Sequence, residues 1–319
     1  MDELSAVEID RINYLNIGLM LASLLVATFL PFETFILAYA FLGPLHYLTE
    51  ISWLHDRRYF CGDSSIAAWF IPGVALVVLG SLFGSVEGTK LSIFIIAIML
   101  IVSAAVTFSR SRIARESGVF IGLAIGYIAL RYEPLSVLLL VLLPTLIHVC
   151  VFTGIFIVYG ALKGRSFSGM LSAVVYLACP IVAVYGVSTP GAYEVSDYFL
   201  NAVAPFDLVG VTITKLFGLG ESREGWLAFM RLMAFAYTYH FLNWFSKTRI
   251  INWHRTSKMR LSFIAVAYAV SVVIYAVDFR VGYTVLLMLS LLHVVLELPL
   301  NFRSAAGVFQ EVVRWRRAV

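Results

Sequence analysis

Four of the six histidines in this 319-residue chain stand in apolar surroundings: His46 in FLGPLHYLTEISWL, His148 in LLPTLIHVCVFTG, His240 in FAYTYHFLNWF and His293 in LSLLHVVLELPL. An imidazole inside hydrocarbon is costly, so such groups turn toward a bundle interior and mark functional sites. Neutral imidazole is a ligand suited to Fe(II), Zn or Cu. Two of the four carry an acid four positions on, Glu50 after His46 and Glu297 after His293. Residues at i and i+4 share a helix face, so each carboxylate is aimed at the same interior as its imidazole. Metal-bound histidine usually donates its second ring N–H to a carboxylate or carbonyl, which fixes the tautomer. Either Glu can serve its own helix or a neighbouring one. Thr145, before His148, and Asn243, after His240, are further candidates for holding an imidazole. His55, in WLHDRRYF, and His254, in NWHRTSK, stand among basic residues and read as interfacial or solvated.

The elements that must position these residues are membrane helices. The chain is 61% apolar and 13% charged, with mean hydropathy +0.91. A soluble domain is nearer half apolar and a quarter charged. Unbroken apolar runs of spanning length, without in–out alternation, exclude a β-barrel. The expected fold is an all-α, polytopic integral membrane bundle of about ten spans, at roughly 12–31, 33–54, 66–84, 91–108, 118–131, 135–160, 168–189, 225–246, 261–278 and 281–300. The fifth is short and Gly-rich. The connector 190–224 reads as lying on the bilayer surface or dipping into it. Residues 1–319 form one transmembrane domain with short tails. The acidic start MDELSAVEIDR lacks the basic region of a secretory signal, so the first run is expected to be retained. Cys61, Cys150 and Cys179 are an odd set with two inside spans, and free thiols are expected.

Taking the N-terminus and every second loop as one side puts seventeen Lys and Arg there and five on the other. That bias predicts a multi-pass cell-membrane protein with both termini cytoplasmic. The net charge of +4 is spent on orientation, and no nucleic-acid partner is expected. The four apolar histidines fall on even-numbered spans, which run in one direction. His46 lies about eight residues from the cytoplasmic end, His148 about twelve, His240 about six and His293 about seven, so at about 1.5 Å per residue they share a layer about 9 Å deep. A common metal ion gives four histidines a reason to share a depth.

Several chemistries fit such a layer. A closed tetrahedral zinc site would be structural, whereas Fe(II) held by four imidazoles leaves two positions for O2 and substrate. That favours an oxygenase acting on an apolar molecule delivered from lipid. A di-iron lipid desaturase or hydroxylase needs HxxxH and HxxHH clusters, which this chain lacks. A haem protein would need histidines at matched depths on two helices. A proton-coupled transporter would use His and Glu as a relay and predicts helices interrupted in matching halves.

At these four motifs the sequence resembles the Brp/Blh family of bacterial and archaeal membrane β-carotene dioxygenases. The matching segments are GPLH ending at His46, LIH ending at His148, YTYHF around His240 and LLHVVLE from Leu291 to Glu297. Family members often have Pro directly before the first histidine and Gly after it, where this chain has Leu45 and Tyr47. They often carry a second histidine after the third motif, where this chain reads FLNWF. The resemblance implies Fe(II) held by His46, His148, His240 and His293, and the spacing already noted makes Glu50 and Glu297 the candidate catalytic carboxylates beside it. The implied reaction is cleavage of a carotenoid, β-carotene to retinal, by O2.

Overall fold

The computed structural model describes residues 5–57, 64–109, 111–220 and 222–318; Arg58, Cys61 and Arg110 lie outside them. Among the described residues there is no strand. The longer helices, in chain order, are α1 (Ala6–Phe29), α2 (31–57), α3 (Ser64–Phe83), α4 (Val86–Phe108), α5 (Arg112–Arg131), α6 (Glu133–Gly164), α7 (Phe167–Gly186), α8 (Asp197–Leu216), α9 (Arg223–Ser246), α10 (Lys258–Val277) and α11 (Phe279–Ala318). Ser5, Ser85, Ser111, Ser166, Ser222 and Ser257 cap α1, α4, α5, α7, α9 and α10, each hydroxyl accepting a first-turn backbone N–H. Serine ends the preceding loop there because its side chain satisfies a donor that has no partner within the helix.

Eight of these helices are long and apolar enough to cross a membrane. Of the remaining three, α3 has a shorter apolar stretch, Ala68–Phe83. The other two, α2 and α9, carry His46 and His240 and are richer in polar side chains. Polarity and position go together. Seventeen of the 24 residues of α9 are buried, whereas α10 buries only Ile264, Ser271 and Tyr275 and exposes Phe263, Val266, Val273 and Val277. Polar side chains are sheltered in the middle while uniformly apolar helices face lipid. The result is an integral membrane helical bundle.

Three expectations change in detail. The short fifth span is part of a full helix, α5, whose Gly118, Gly122 and Gly126 lie directly on α4: a Cβ at Gly122 would stand 2.6 Å from the Cα of Ile98. Small residues every fourth position let two membrane helices touch backbone to backbone. The connector contains α8, which by length and composition is itself apolar enough to cross. It is interrupted at Ala204–Phe206, where Pro205 stands, and buries Val203, Phe206, Val209 and Ile213. Finally, the chain beyond residue 300 continues α11 as far as Ala318, with Asn301, Ser304 and Glu311 buried and Gly307 against the ring of Tyr159. Cys150 and Cys179 are free thiols.

Wide π-helical turns occur at Ala38–Leu42, Leu138–Phe152 and Val182–Gly186. Pro144 lies within the second, Pro44 follows the first by two residues, and Pro180 precedes the third by two. Proline lacks the N–H that an α-helix requires and crowds the preceding turn. A wider turn accommodates both effects, and such turns gather at functional sites. Pro44 precedes His46 by two residues and Pro144 precedes His148 by four.

Candidate metal centre

His46 comes from α2, His148 from α6, His240 from α9 and His293 from α11. The buried side chains form two hydrophobic clusters. One contains most of α9, the other the facing sides of α3 and α4; α6 and α11 contribute to both. The histidines stand where α6 and α11 meet the central pair α2 and α9. One ring nitrogen from each of the four lies within 4.8 Å of every other. Nε2 of His148 is 3.0 Å from Nε2 of His293, and Nε2 of His240 is 3.1 Å from Nε2 of His46. All four residues are buried, His240 at 7% exposure and the others at 2%. His55 and His254 are exposed and take no part.

The surroundings fix the rings. Tyr47 stacks on His293 with ring centres 4.7 Å apart and planes 23° apart. Phe241 and Trp244 pack against His46 at 5.1 and 5.5 Å, and Trp244 Nε1 donates to Thr49 Oγ1 at 3.0 Å. The outward nitrogen of His240, Nδ1, is 2.8 Å from Thr153 Oγ1. Glu297 Oε2 faces Nδ1 of His148 at 3.2 Å and accepts from Asn301 Nδ2 at 3.2 Å. Glu297 thus approaches a histidine of another helix, although the pair is not in hydrogen-bond geometry. Glu50 Oε2 is 2.9 Å from Nε2 of His46, the inward nitrogen. The Glu50 and Glu297 carboxyls are 1% and 4% exposed and within reach of each other.

Thr145 and Asn243 have other partners. Thr145 donates to the carbonyl of Val141, and the Asn243 carbonyl accepts from the Tyr239 hydroxyl at 3.4 Å. The residue that does meet a ring nitrogen is Thr153, five positions after His148 and serving His240 across the bundle. Its sequence neighbours carry no sign of that contact, because the partner is on another helix.

This donor set fits a metal ion. Four converging imidazole nitrogens leave little room for water, and two carboxyls buried side by side require a cation or a shared proton. A divalent ion meets both conditions. The quartet is therefore a site that could hold a metal ion.

Beside it is a cavity of about 330 Å³, lined by Tyr39, Pro144, Phe206, Tyr237, Tyr283 and Ser290 among others. Pro144, Tyr237 and Ser290 lie three or four residues before His148, His240 and His293 on the same helices, so the cavity lies about one helical turn from the ring cluster. The Tyr39 hydroxyl and Ser290 Oγ are 3.4 Å apart. Tyr39 contacts Tyr237, Phe206 and Tyr283 at ring-centre distances of 5.5, 5.5 and 6.0 Å. Searched against protein-family models, curated proteins and solved structures, the chain matches none.

Proposed function

We propose that this protein is a membrane non-haem iron oxygenase that cleaves a carotenoid, β-carotene to retinal, with O2. The observation that carries the reading is the buried four-histidine cluster one turn away from a cavity lined by Tyr39, Phe206, Tyr237 and Tyr283 among others. The spacing of the nitrogens favours an ion with positions to spare. At metal–nitrogen bonds of about 2.1 Å, nitrogens at right angles stand about 3.0 Å apart and nitrogens at the tetrahedral angle about 3.4 Å. The two Nε2 pairs are at 3.0 and 3.1 Å. A haem between any two of these rings would have to displace the other two.

His46, His148, His240 and His293 would hold Fe(II). When bound, the iron supplies the binding and activation of O2. Thr153 orients His240 through its Nδ1, and Glu297 stands behind His148, 3.2 Å from its Nδ1, where it would steady the ring once an ion is bound. The cavity positions the polyene. The rings of Tyr39, Phe206, Tyr237 and Tyr283 offer flat apolar faces to a conjugated chain, and burial excludes water from the reacting double bond. The reaction balances without an external reductant: one C=C and one O=O bond break, two C=O bonds form, and each aldehyde takes one oxygen atom. The substrate reaches the cavity from the bilayer. The protein sits in the cell membrane with both termini cytoplasmic, in keeping with the basic residues.

The test is expression in a bacterium that accumulates β-carotene. The wild type bleaches the orange cells and yields retinal as the major product, while His293→Ala leaves them orange. Retinal formed at wild-type levels by His293→Ala would sink the mechanism.

A further inference from the structure

Glu50 and Glu297 each stand four residues beyond a histidine, yet they meet the imidazoles from opposite sides. Glu297 Oε2 approaches Nδ1 of His148, which points away from the other rings, and Asn301 already donates to that oxygen. Glu50 Oε2 approaches Nε2 of His46, the nitrogen that also faces His240. Neither pair is in hydrogen-bond geometry, but Glu297 Oε2 has Asn301 as a donor, whereas no donor serves the buried Oε2 of Glu50, 2.9 Å from its imidazole. A buried carboxylate beside a second one needs a cation or a shared proton, and the position of Oε2 on the inward side of His46, next to the nitrogen that faces His240, favours the cation.

We propose that Glu50 is itself a ligand of the metal ion, a fifth donor beside the four imidazoles, and that Glu297 acts only through His148. The proposal rests on the reading of the histidines as a metal centre. Donor atoms at right angles on one ion, with bonds of about 2.1 Å, stand about 3.0 Å apart, and Glu50 Oε2 and His46 Nε2 are 2.9 Å apart. Charge favours the same arrangement. A divalent ion with one carboxylate bound and a second behind His148 is neutral overall, which lowers the cost of burying it. An oxygen donor added to four imidazoles also biases the site toward Fe(II) or Mn(II) and away from Cu(I). A hydrocarbon polyene has no donor atom, so it would be held by the cavity and not by the ion.

Cobalt substitution of the full-length, detergent-solubilised protein tests this without turnover, because the visible absorption of Co(II) reports its ligands. Glu50→Ala should shift the band, and added formate, a carboxylate small enough to occupy the vacated position, should return it. Glu297→Ala should take up cobalt more weakly with its band in the wild-type position, whether or not formate is present. Glu50→Gln, the same shape without the charge, serves where the alanine variant does not fold, and its band should also shift. Bands of Glu50→Ala or Glu50→Gln that coincide with wild type would overturn the ligand assignment and leave the four-histidine centre standing. A wild type that takes up no cobalt and no iron would overturn both.

Discussion

At the scale of single residues, Nε2 atoms of the histidines face one another, and of the outward Nδ1 atoms the one of His240 is held by a hydrogen bond, to Thr153. This separates replacements that remove the ion from those that loosen it. Exchanging any one of His46, His148, His240 or His293 for Ala should remove most of the iron that copurifies, whereas His55→Ala and His254→Ala should leave it intact. Metal analysis decides, and six variants behaving alike would exclude the four-histidine centre. Thr153 is the finer probe. Its hydroxyl faces Nδ1 of His240 at 2.8 Å, and losing such a partner typically costs about 10–100-fold in metal affinity. Thr153→Val should show that loss in a chelator competition, and Thr153→Ser should recover most of it. Equal affinity in the valine variant would mean that His240 is oriented by packing alone.

At the scale of elements, two backbone features decide where the side chains go. The wide turn through Leu138–Phe152 contains both Pro144 and His148. Pro144→Ala restores the missing N–H and permits an ordinary α-helix, in which one residue of register amounts to about 100° of rotation. His148 would then turn away from its partners. The expected result is a helical, membrane-inserted protein by circular dichroism with little bound iron. Full iron content would show that the neighbouring helices set the wide turn without the proline. The close contact of α5 on α4 is the second feature. Gly122→Leu places a side chain where the Cα of Ile98 stands 2.6 Å from the Cβ position, and overpacking of this kind costs on the order of 1–3 kcal/mol. A lower temperature of inactivation in detergent is expected, and an unchanged one would mean that α4 and α5 separate without consequence.

At the scale of the whole molecule, the arrangement is polar inside and apolar outside, with α9 at the centre. Seventeen basic residues against five predict the orientation of the bundle, and α8 is the element on which that prediction turns. If α8 lies within the bundle without crossing, reporters fused after Glu194 and after Gly220 both report the outside, while those after Arg115 and Lys258 report the cytoplasm. An opposite result at Gly220 and Lys258 would mean that α8 crosses and that α9 runs the other way.

The sequence by itself determined that this is a helical membrane protein, because apolar runs of spanning length permit no other solution for the backbone in lipid. It also singled out His46, His148, His240 and His293, because an ionisable group in hydrocarbon stands out against its neighbours without any knowledge of the fold. It left open which nitrogen of each ring faces inward and which group holds the other, since those contacts are made between helices. Glu297 beside His148 and Thr153 beside His240 come from different helices, and no spacing along one helix encodes such a pair. The same limit explains Thr145 and Asn243, which lie near histidines in sequence yet bond elsewhere. The span limits were approximate for a related reason. The continuation of α11 through Ala318 depends on Asn301, Ser304, Gly307 and Glu311 finding a neighbour to pack against. Hydropathy alone registers that polar stretch as the end of a span, and only the tertiary structure supplies the partner that keeps it helical.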